Sequence, residues 1–502
     1  MILRGRRFVT PALVAAAILP WLVLFVLPVF SLLQAGRLMG EGFGLRVLVA
    51  GMLDPLLLSK VGFTAGQAGL SALLSCLLGL PLGILLRNSP RASGWLRIPF
   101  GVPTLVASAA WVSLLSRTRI LYSFEAVLLS HVVLNIPWAA SLVAEAAGSV
   151  PWRWDELARS LGAGRWQRWR SVHFPVIAPA IFSGFSQIFI LCSMSFTLVT
   201  ILGGGPPVET LETAIFSSVR SGALDLVAAA SLAIWQLALS LVPWLALRTF
   251  WKPVSILAAA PVSGVGEPSW HRLLAVAWVL PYLVFFRDLE WRVLASPEFW
   301  GAVAHPLLLS LGIAMAVAIA AVLWSGVAIA ALLATQREAR RRVLEMLLLL
   351  PSGVSTLTLS LGFWMAYSTW IDPFDGSLAA LVLVQGLVFF PMVFRWLWPL
   401  ARLQSTAALE LARSLGASPA RAWAEVEWPR LRQPVIHALA LVSAASVGEL
   451  AAVSFFSSER MVTLPLLVSR WLAQYRFDHA HAVAALLLVL SALLTLGSRW
   501  ER

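Results

Sequence analysis

The sequence predicts an all-α polytopic membrane protein with about 12 transmembrane helices in two homologous halves. Three observations lead to this prediction. Hydrophobic residues make up 59% of the chain and charged residues 12%, whereas soluble domains are roughly half apolar and a quarter charged. Long apolar runs recur along all 502 residues. A polar stretch between two such runs in the first half occurs again in the second half.

The apolar runs are long enough to cross a bilayer, which takes about 20 helical residues. We predict spans at 9–33, 61–86, 99–116, 125–147, 176–202, 223–247, 271–288, 304–333, 344–369, 377–400, 432–456 and 480–499. The first run follows three arginines, as a signal peptide would. It is long and has no clear cleavage site, so we interpret it as a membrane anchor.

A repeat relates the two polar stretches. Residues 156–175 read ELARSLGAGRWQRWRSVHFP and residues 410–429 read ELARSLGASPARAWAEVEWP. The first eight residues are identical, and a glutamate, a glycine and a proline recur at equal spacing, 254 positions apart. Collinear matches over this distance indicate that the chain contains two copies of one structural unit.

Each copy predicts two short helices separated by a glycine. Gly162 and Gly416 are the expected left-handed residues that end the first helix. Ser418 is expected to cap the second helix of the second copy, and Asp155 to cap the first helix of the first copy. A well-capped loop explains the glycines, but it does not explain why ELARSLGA is repeated. A shared docking surface explains it better.

This pattern, Glu-x-Ala with a glycine six residues after the glutamate and a proline thirteen after the glycine, resembles the EAA loop of ABC-type importer permeases. Leu157 and Leu411 replace the usual alanine after the glutamate. In that family the loop docks on the ATPase subunit. The resemblance implies a fused permease that binds two copies of an ABC ATPase subunit and an extracytoplasmic substrate-binding protein. The implied docking residues are Glu156, Ala158, Gly162, Pro175, Glu410, Ala412, Gly416 and Pro429.

The repeat and the composition divide the chain into four parts. Residues 1–60 form an N-terminal transmembrane helix and an outer loop, and residues 61–247 form the first permease half with coupling loop 151–175. The segment 248–270, rich in Pro, Gly, Ser and Ala, is a cytoplasmic linker. Residues 271–502 form the second half with coupling loop 405–429.

Basic residues set the orientation. Most of the 37 Lys and Arg fall on one side when both termini, both repeated loops and the segments 87–97, 248–272 and 335–342 are placed there. That side is expected to be cytoplasmic in a bacterial inner membrane. The net charge of +13 is therefore mainly a topology signal. Nucleic-acid binding is not expected, because the arginines are scattered over short loops.

Glycine and proline predict two details of helix packing. Gly62, Gly66, Gly69, Gly79 and Gly83 are expected to let neighbouring helices approach closely. Proline and glycine at the start of segments 99–111 and 350–364 predict a helix break in each half.

Two outer segments resemble those of thiamine transporter permeases. One is ILGGGPPVETLETAIF at residues 201–216, and the other contains TLP within residues 455–475. The resemblance implies thiamine or a thiamine phosphate as the substrate. It also implies contact with the binding protein at Gly203, Gly204, Gly205 and Pro206. Ferric iron permeases share the two-half architecture, so ferric iron is the alternative substrate.

Glu449 is the most conspicuous charge within a predicted span, where an acid costs about 2.5–3.5 kcal/mol. With Trp111 or Trp364 it would ease the passage of a thiazolium cation. The alternative is that Glu449 reaches an outer interface or pairs with Arg460. His131 and Gln385 are expected to make hydrogen bonds between helices.

Several absences bound the function. The chain has no P-loop, and its two lysines, Lys60 and Lys252, lie in no such setting, so ATP hydrolysis is expected from a separate subunit. Cys76 and Cys192 lie singly in predicted spans, and no metal or cofactor is expected. A twelve-helix secondary transporter is a further alternative, although it would show several embedded charges. A membrane enzyme is disfavoured, since no cluster of His or carboxylates has catalytic spacing.

Overall fold

The computed structural model describes residues 2–35, 45–89, 96, 102–220, 224–250, 270, 273, 277–278, 280–370, 377–402, 406–459 and 461–497. Across these residues the regular structure is helical, apart from a bridge between Gly205 and Val208. The predicted linker lies almost wholly outside the described residues.

The helices of the first half and of the segment that precedes it follow in order. They are α1 (Ile2–Trp21), α2 (Leu27–Ser31), α3 (Leu45–Met52), α4 (Pro55–Leu85), α5 (Thr104–Leu115), α6 (Phe124–Gly148), α7 (Trp152–Ser160), α8 (Arg165–Arg168), α9 (Phe174–Ser193), α10 (Thr197–Leu202), α11 (Leu211–Arg220) and α12 (Leu226–Phe250). A π-helical turn, Trp169–His173, connects α8 to α9.

The second half continues after a 3₁₀ segment, Leu280–Phe286. Its helices are α13 (Trp291–Ala295), α14 (Pro297–Ala334), α15 (Glu338–Leu349), α16 (Thr356–Tyr367), α17 (Leu378–Arg402), α18 (Thr406–Ser414), α19 (Pro419–Ala422), α20 (Trp428–Val447), α21 (Ala451–Phe456), α22 (Leu464–Ala473) and α23 (Phe477–Gly497). The π-helical turn Trp423–Glu427 precedes α20.

The repeat predicted from the sequence is also present in the helix boundaries. Helices α6 to α10 and α17 to α21 begin and end at positions that differ by 254 residues throughout. The two π-helical turns differ by the same number. Two copies of one folding unit explain this agreement, because local sequence alone would not give five consecutive helices the same bounds.

Fewer helices qualify as spans than the twelve predicted. Among the described residues, eight helices are long and apolar enough to cross a membrane: Pro11–Gln34, Pro55–Leu85, Phe124–Gly148, Arg165–Ser193, Leu226–Leu247, Pro297–Ala334, Leu378–Arg402 and Phe477–Thr495. A ninth run, the predicted span 344–369, is two helices bent by 101°. This bend is the break predicted in the second half. The counterpart of that bent run, the predicted span 99–116, contains only the 12-residue helix α5.

The two remaining predicted spans, 271–288 and 432–456, do not qualify as membrane-crossing helices for other reasons. The run 271–288 is described mainly by the 3₁₀ segment at its end. The run 432–456 is divided into α20 and α21, and α20 carries Arg430 and Arg432 in its first turns.

The chain folds into two compact units, and the first contains Met1–Gly51, Ile215–Ile234 and Glu290–Arg502. Within it, α14 packs against α17 and α20, and α1 lies along α14. Trp324 donates a hydrogen bond to the carbonyl oxygen of Ala17 at 3.1 Å. Helix α2 packs on α16, where Ser31 donates to the carbonyl oxygen of Gly362 at 2.7 Å. The N-terminal anchor therefore packs on helices of the second half.

The other unit contains Met52–Ala214 and Trp235–Leu289. Its core is the packing of α4 against α6 and α9, with Cys76 and Cys192 both buried and free. A Cβ atom at Gly79 would lie 2.7 Å from the Cβ of Ala139, and one at Gly83 would lie 2.6 Å from the carbonyl oxygen of Ala140. The close approach predicted for these two glycines is confirmed.

The prediction was wrong for the other three glycines of the stripe. A Cβ atom would meet nothing within 4 Å at Gly62 or Gly66, and only a ring atom of Phe189 at 4.0 Å from Gly69. Helices α4 and α6 also contact one another near Gln67 and His131, but Gly62, Gly66 and Gly69 do not face that contact, so they are not needed for it.

Candidate functional site

The two predicted coupling loops have the same backbone. Helix α7 corresponds to α18, and α8 corresponds to α19, each after a shift of 254 residues. Pro175 and Pro429 both lie in the first turn of the following helix, α9 or α20, where a missing N–H breaks no helical hydrogen bond. Ser418 accepts a hydrogen bond from the backbone N–H of Arg421 at 3.3 Å, as predicted for a cap.

A Schellman motif ends the first helix of each loop. Gly162 and Gly416 have φ of +79° and +89°, the left-handed conformation that the sequence predicts. The N–H of the residue after each glycine donates to the carbonyl oxygen of Ala158 or Ala412, in both cases at 3.0 Å. These bonds satisfy carbonyl groups that the end of a helix leaves without a partner.

Each loop exposes two leucines, one in its first helix and one at the residue that follows that helix. Leu157 and Leu161 are 60% and 78% exposed, and Leu411 and Leu415 are 60% and 79% exposed. The neighbouring Glu156 and Glu410 are exposed as well. Four large apolar side chains are thus exposed at equivalent positions, so they do not stabilise the fold by burial. Exposed apolar side chains of this kind are suited to contact with another protein.

The first loop is fastened by an ionic cluster around Asp155. Its carboxylate accepts hydrogen bonds from Arg168 Nε at 3.1 Å and from His173 Nε2 at 3.2 Å, and it pairs with Arg159 at 2.8 Å. The expected capping role of Asp155 was wrong, because α7 begins at Trp152 and Asp155 lies inside it. Its partners lie in α7 and in the residues leading to α9, so the carboxylate ties the two parts of the loop together.

The cluster changes the acidity of Asp155. Partial burial alone would raise the pKa of this carboxyl. The hydrogen bond from His173 and the charges of Arg159 and Arg168 favour the ionised form, and the pKa of Asp155 is lowered below its usual value.

The second loop has no equivalent of this cluster. Leu409 stands at the position of Asp155, and Ala422, which is fully buried, stands at the position of Arg168. Glu427 replaces His173, is buried, and lies 3.5 Å from Arg430. The same backbone thus forms in this copy without the contacts that Asp155 makes in the first.

Glu449 lies in the break between α20 and α21. Its carboxylate accepts hydrogen bonds from the backbone N–H groups of Ala451 at 2.9 Å and Ala452 at 3.0 Å. Gln385 of α17 donates to it at 3.3 Å, and Ser446 donates to the oxygen of Gln385 at 2.5 Å. The carboxylate is therefore held by three donors at the start of α21. Arg460, the partner considered in the sequence, lies outside the described residues.

The first half repeats this contact with neutral side chains. His131 and Ser195 stand at the positions of Gln385 and Glu449, and His131 Nε2 lies 2.9 Å from Ser195 Oγ. Gln67 Nε2 donates to His131 Nδ1 at 2.5 Å. The predicted hydrogen bonds of His131 and Gln385 between helices are confirmed. The repeat offset of 254 was the signal that could have paired each with its partner.

Trp111 and Trp364 lie in the almost wholly buried helices α5 and α16, one in each compact unit. Trp364 contacts the ring of Phe455 edge-on, with centroids 6.4 Å apart. Phe455 belongs to α21, the helix that Glu449 caps. The structure therefore brings Trp364 close to the helix that starts at Glu449.

The turn around Gly203 is tight. Gly204 and Gly205 have φ of +73° and +90°, and a Cβ atom at Gly204 would lie 2.8 Å from that of Tyr122. The N–H of Val208 donates to the carbonyl oxygen of Gly205 at 2.9 Å, closing the turn around the exposed Pro206. Two left-handed residues in succession explain the glycine run.

A side-chain hydroxyl group accepts a hydrogen bond from the first residue of α11, and another does so at the first residue of α22. Thr64 in α4 accepts from the N–H of Leu211 at 2.9 Å, and Ser310 in α14 accepts from that of Leu464 at 2.8 Å. Helices α11 and α22 thus start at similar hydrogen bonds.

Within the described part of the chain, no group of three or more His, Cys, Asp or Glu could hold a metal ion.

A helical membrane protein with two related halves, each exposing an apolar helix on a polar loop, has the architecture of a transport permease. Comparison with known proteins agrees with this class. The model of the family described as binding-protein-dependent transport system inner membrane component matches residues 326–500. The chain belongs to this family and is a multi-pass inner-membrane permease, which removes the support for the secondary-transporter alternative.

Individual relatives cover the rest of the chain. The thiamine transport system permease protein ThiP of Brucella abortus (strain 2308) is 28% identical over 505 residues, 93% of this chain and 91% of that protein. ThiP of Escherichia coli (strain K12) is 28% identical over 89% of each chain. The molybdenum transport system permease protein ModB of Mycobacterium bovis (strain ATCC BAA-935 / AF2122/97) is 31% identical over 46% of this chain and 93% of that protein. A segment of somewhat less than half of this chain therefore matches nearly a whole ModB.

Proposed function

We propose that this chain is the membrane permease of an ABC importer that carries thiamine or a thiamine phosphate into the cytoplasm. The observation that carries the proposal is similarity to ThiP over 93% of the chain, which includes both halves, both coupling loops and the outer segments. No feature of the described residues favours ferric iron over thiamine.

In this proposal two copies of an ATPase subunit dock on the coupling loops. Each would receive the exposed leucine pair and the glutamate of one loop, Glu156 or Glu410. The glycine motif holds the docking helix at a fixed angle to the helix that follows it. A short rigid connection of this kind is what transmits a displacement of the ATPase to α9 or α20. ATP-driven closure would then move the two halves between inward-open and outward-open states.

The orientation follows from the same assignment. The loops must face the ATPase, so both termini are cytoplasmic. The turn at Gly203, Gly204, Gly205 and Pro206 then faces the extracytoplasmic binding protein. This turn is closed by its own backbone, so it presents a defined surface to a partner.

Glu449 is the best candidate for contact with the substrate in the membrane. Thiamine carries a permanent thiazolium cation, and the carboxylate of Glu449 is half-buried and oriented by three donors. A fixed negative charge beside aromatic rings such as Trp364 would lower the cost of moving a cation through an apolar layer. The matched position in the first half, Ser195, is neutral, so only one half supplies the charge.

The first experiment measures uptake of labelled thiamine at nanomolar concentration in cells with and without this chain. We expect deletion to abolish uptake, the wild type to restore it, and Glu410→Lys to fail while remaining inserted in the membrane. Thiamine uptake unaffected by deletion, with no other thiamine transporter present, would exclude this substrate. Normal uptake by Glu410→Lys would exclude the docking role of the loop.

A second experiment addresses Glu449. Replacing Glu449 by Gln keeps the size of the side chain and one acceptor oxygen for the backbone N–H groups of α21 and removes the charge, so we expect the KM for thiamine to rise with little loss of folded protein. Ser195→Ala is the matched control in the first half and should leave the KM unchanged. An unchanged KM in Glu449→Gln would mean that the carboxylate only caps α21.

A further inference from the structure

The two coupling loops share a backbone but do not offer the same surface. In the first loop, Trp154 lies three residues before Leu157 and seven before Leu161, so the three side chains form one stripe on the helix. All three are exposed, Trp154 by 51%. In the second loop the stripe is Ala408, Leu411 and Leu415. The first stripe is therefore longer by one indole ring.

The two loops also differ in net charge, and the first loop is the more basic one. Residues 151–175 contain five arginines and two acidic residues, whereas residues 405–429 contain two arginines and three acidic residues. The formal net charge is thus +3 against −1. The aromatic content differs too, because Trp152 and Trp166, 57% and 71% exposed, correspond to Thr406 and Ala420.

Two identical ATPase subunits must fit these unequal loops. Resting on the proposed function, we propose that the first coupling loop is the stronger ATPase-binding site and that Trp154 is its additional anchor. A groove that accepts two leucines on a helix meets Trp154 next along the same face. Tryptophan and arginine are the residues that most often dominate the free energy of protein interfaces, and both are enriched in the first loop. Ala408 buries little surface in the equivalent contact.

Some contacts with the ATPase subunit would be common to both loops, and others would be made by the first loop alone. The leucine pair and the glutamate occur in both loops, so they give the affinity common to both. The indole ring and the three additional arginines add to the first loop alone. Truncating one such anchor typically weakens an interface by roughly tenfold. An ATPase subunit supplied in shortage should therefore occupy the first loop before the second.

The test compares cysteines at matched positions of the full chain. Ser160 and Ser414 are both exposed and 254 residues apart, and the two native cysteines are buried. Ser160→Cys and Ser414→Cys would each be cross-linked in membranes to the ATPase subunit carrying one cysteine in its docking groove. With less than one ATPase subunit per permease, we expect several-fold more product at position 160. Moderate salt should reduce that excess, because part of it comes from arginines.

Variants at the stripe then identify the anchor. Trp154→Ala should reduce the preference to the part that salt removes, and combining it with Ala408→Trp should favour position 414 when moderate salt is present. Trp154 is exposed, so its removal alone does not threaten folding. Equal yields at positions 160 and 414 would overturn the unequal docking, and a preference that Trp154→Ala leaves unchanged would overturn the anchor role of Trp154; both outcomes leave the docking role intact. No product at either position would overturn the docking assignment itself.

Discussion

The two coupling loops differ in how they are held together, although their backbones agree. Asp155 ties the first loop together by ion pairs with Arg159 and Arg168, whereas Leu409 and Ala422 stand at the positions of Asp155 and Arg168 in the second. What both keep is the helix bounds, the left-handed glycine and the exposed leucines. The comparison teaches that the geometry presented to a partner is set by the backbone motif, while several side-chain chemistries can support it.

The largest effect is expected where the loops agree. Proline at Gly162 or Gly416 fixes φ near −65°, opposite in sign to the +79° and +89° observed, and removes an N–H that donates to the helix. The local cost is about 3 kcal/mol or more. We expect both variants to insert normally and to lose coupled transport to a similar extent, measured as thiamine uptake per inserted permease.

Gly164→Ala is the control for these variants. Gly164 has φ of −65°, which any residue adopts, and Ser418 occupies the equivalent position in the second loop. Uptake should stay close to that of the wild type. If Gly416→Pro transported normally while Gly162→Pro did not, the shared backbone would not be the functional part of the second loop.

A smaller effect is expected where the loops differ. Asp155→Ala removes the acceptor of Arg168 and His173 and should loosen the first loop by about 1 kcal/mol, since the cluster is partly exposed. Hydrogen exchange of amides in residues 151–175 should rise, and that in residues 405–429 should not. Leu409→Ala should give the opposite pattern.

A double-mutant cycle tests whether the ion pair is responsible. The effects of Asp155→Ala and Arg168→Ala on exchange should be less than additive, because either change alone breaks the same contact. Additive effects would show that the two side chains support the loop separately.

The sequence predicted the features common to both coupling loops better than the features in which the two loops differ. The eight identical residues located both loops, and the glycine conformations followed from helix termination. Hydropathy sums ignore breaks, so fewer of the described helices qualify as spans by length than the twelve predicted: α20 and α21 are separated at Gly448–Leu450, and α15 and α16 belong to a run bent by 101°. The acceptor role of Asp155 could not be predicted, since two of its partners are thirteen and eighteen residues further along the chain.

The smallest effect concerns the pH dependence of the first loop. Because the folded pKa of Asp155 lies below its unfolded value, the cluster stabilises the loop above that unfolded value, near 3.8. This stabilisation is lost as the pH falls through the folded pKa, when the carboxylate takes up a proton and its contacts with Arg159, Arg168 and His173 weaken. Asn at this position cannot titrate, so Asp155→Asn gives the reference.

The measurement is the ratio of amide protection in residues 151–175 between the wild type and Asp155→Asn, taken at each pH so that intrinsic exchange rates cancel. We expect the ratio to exceed one at about pH 6 and to approach one at about pH 3. Residues 405–429 provide the internal reference and should give a ratio of one throughout. A ratio that stays constant with pH in the first loop would mean that the ionised carboxylate does not stabilise this loop. The two loops would then differ at these positions only in the shape of their side chains.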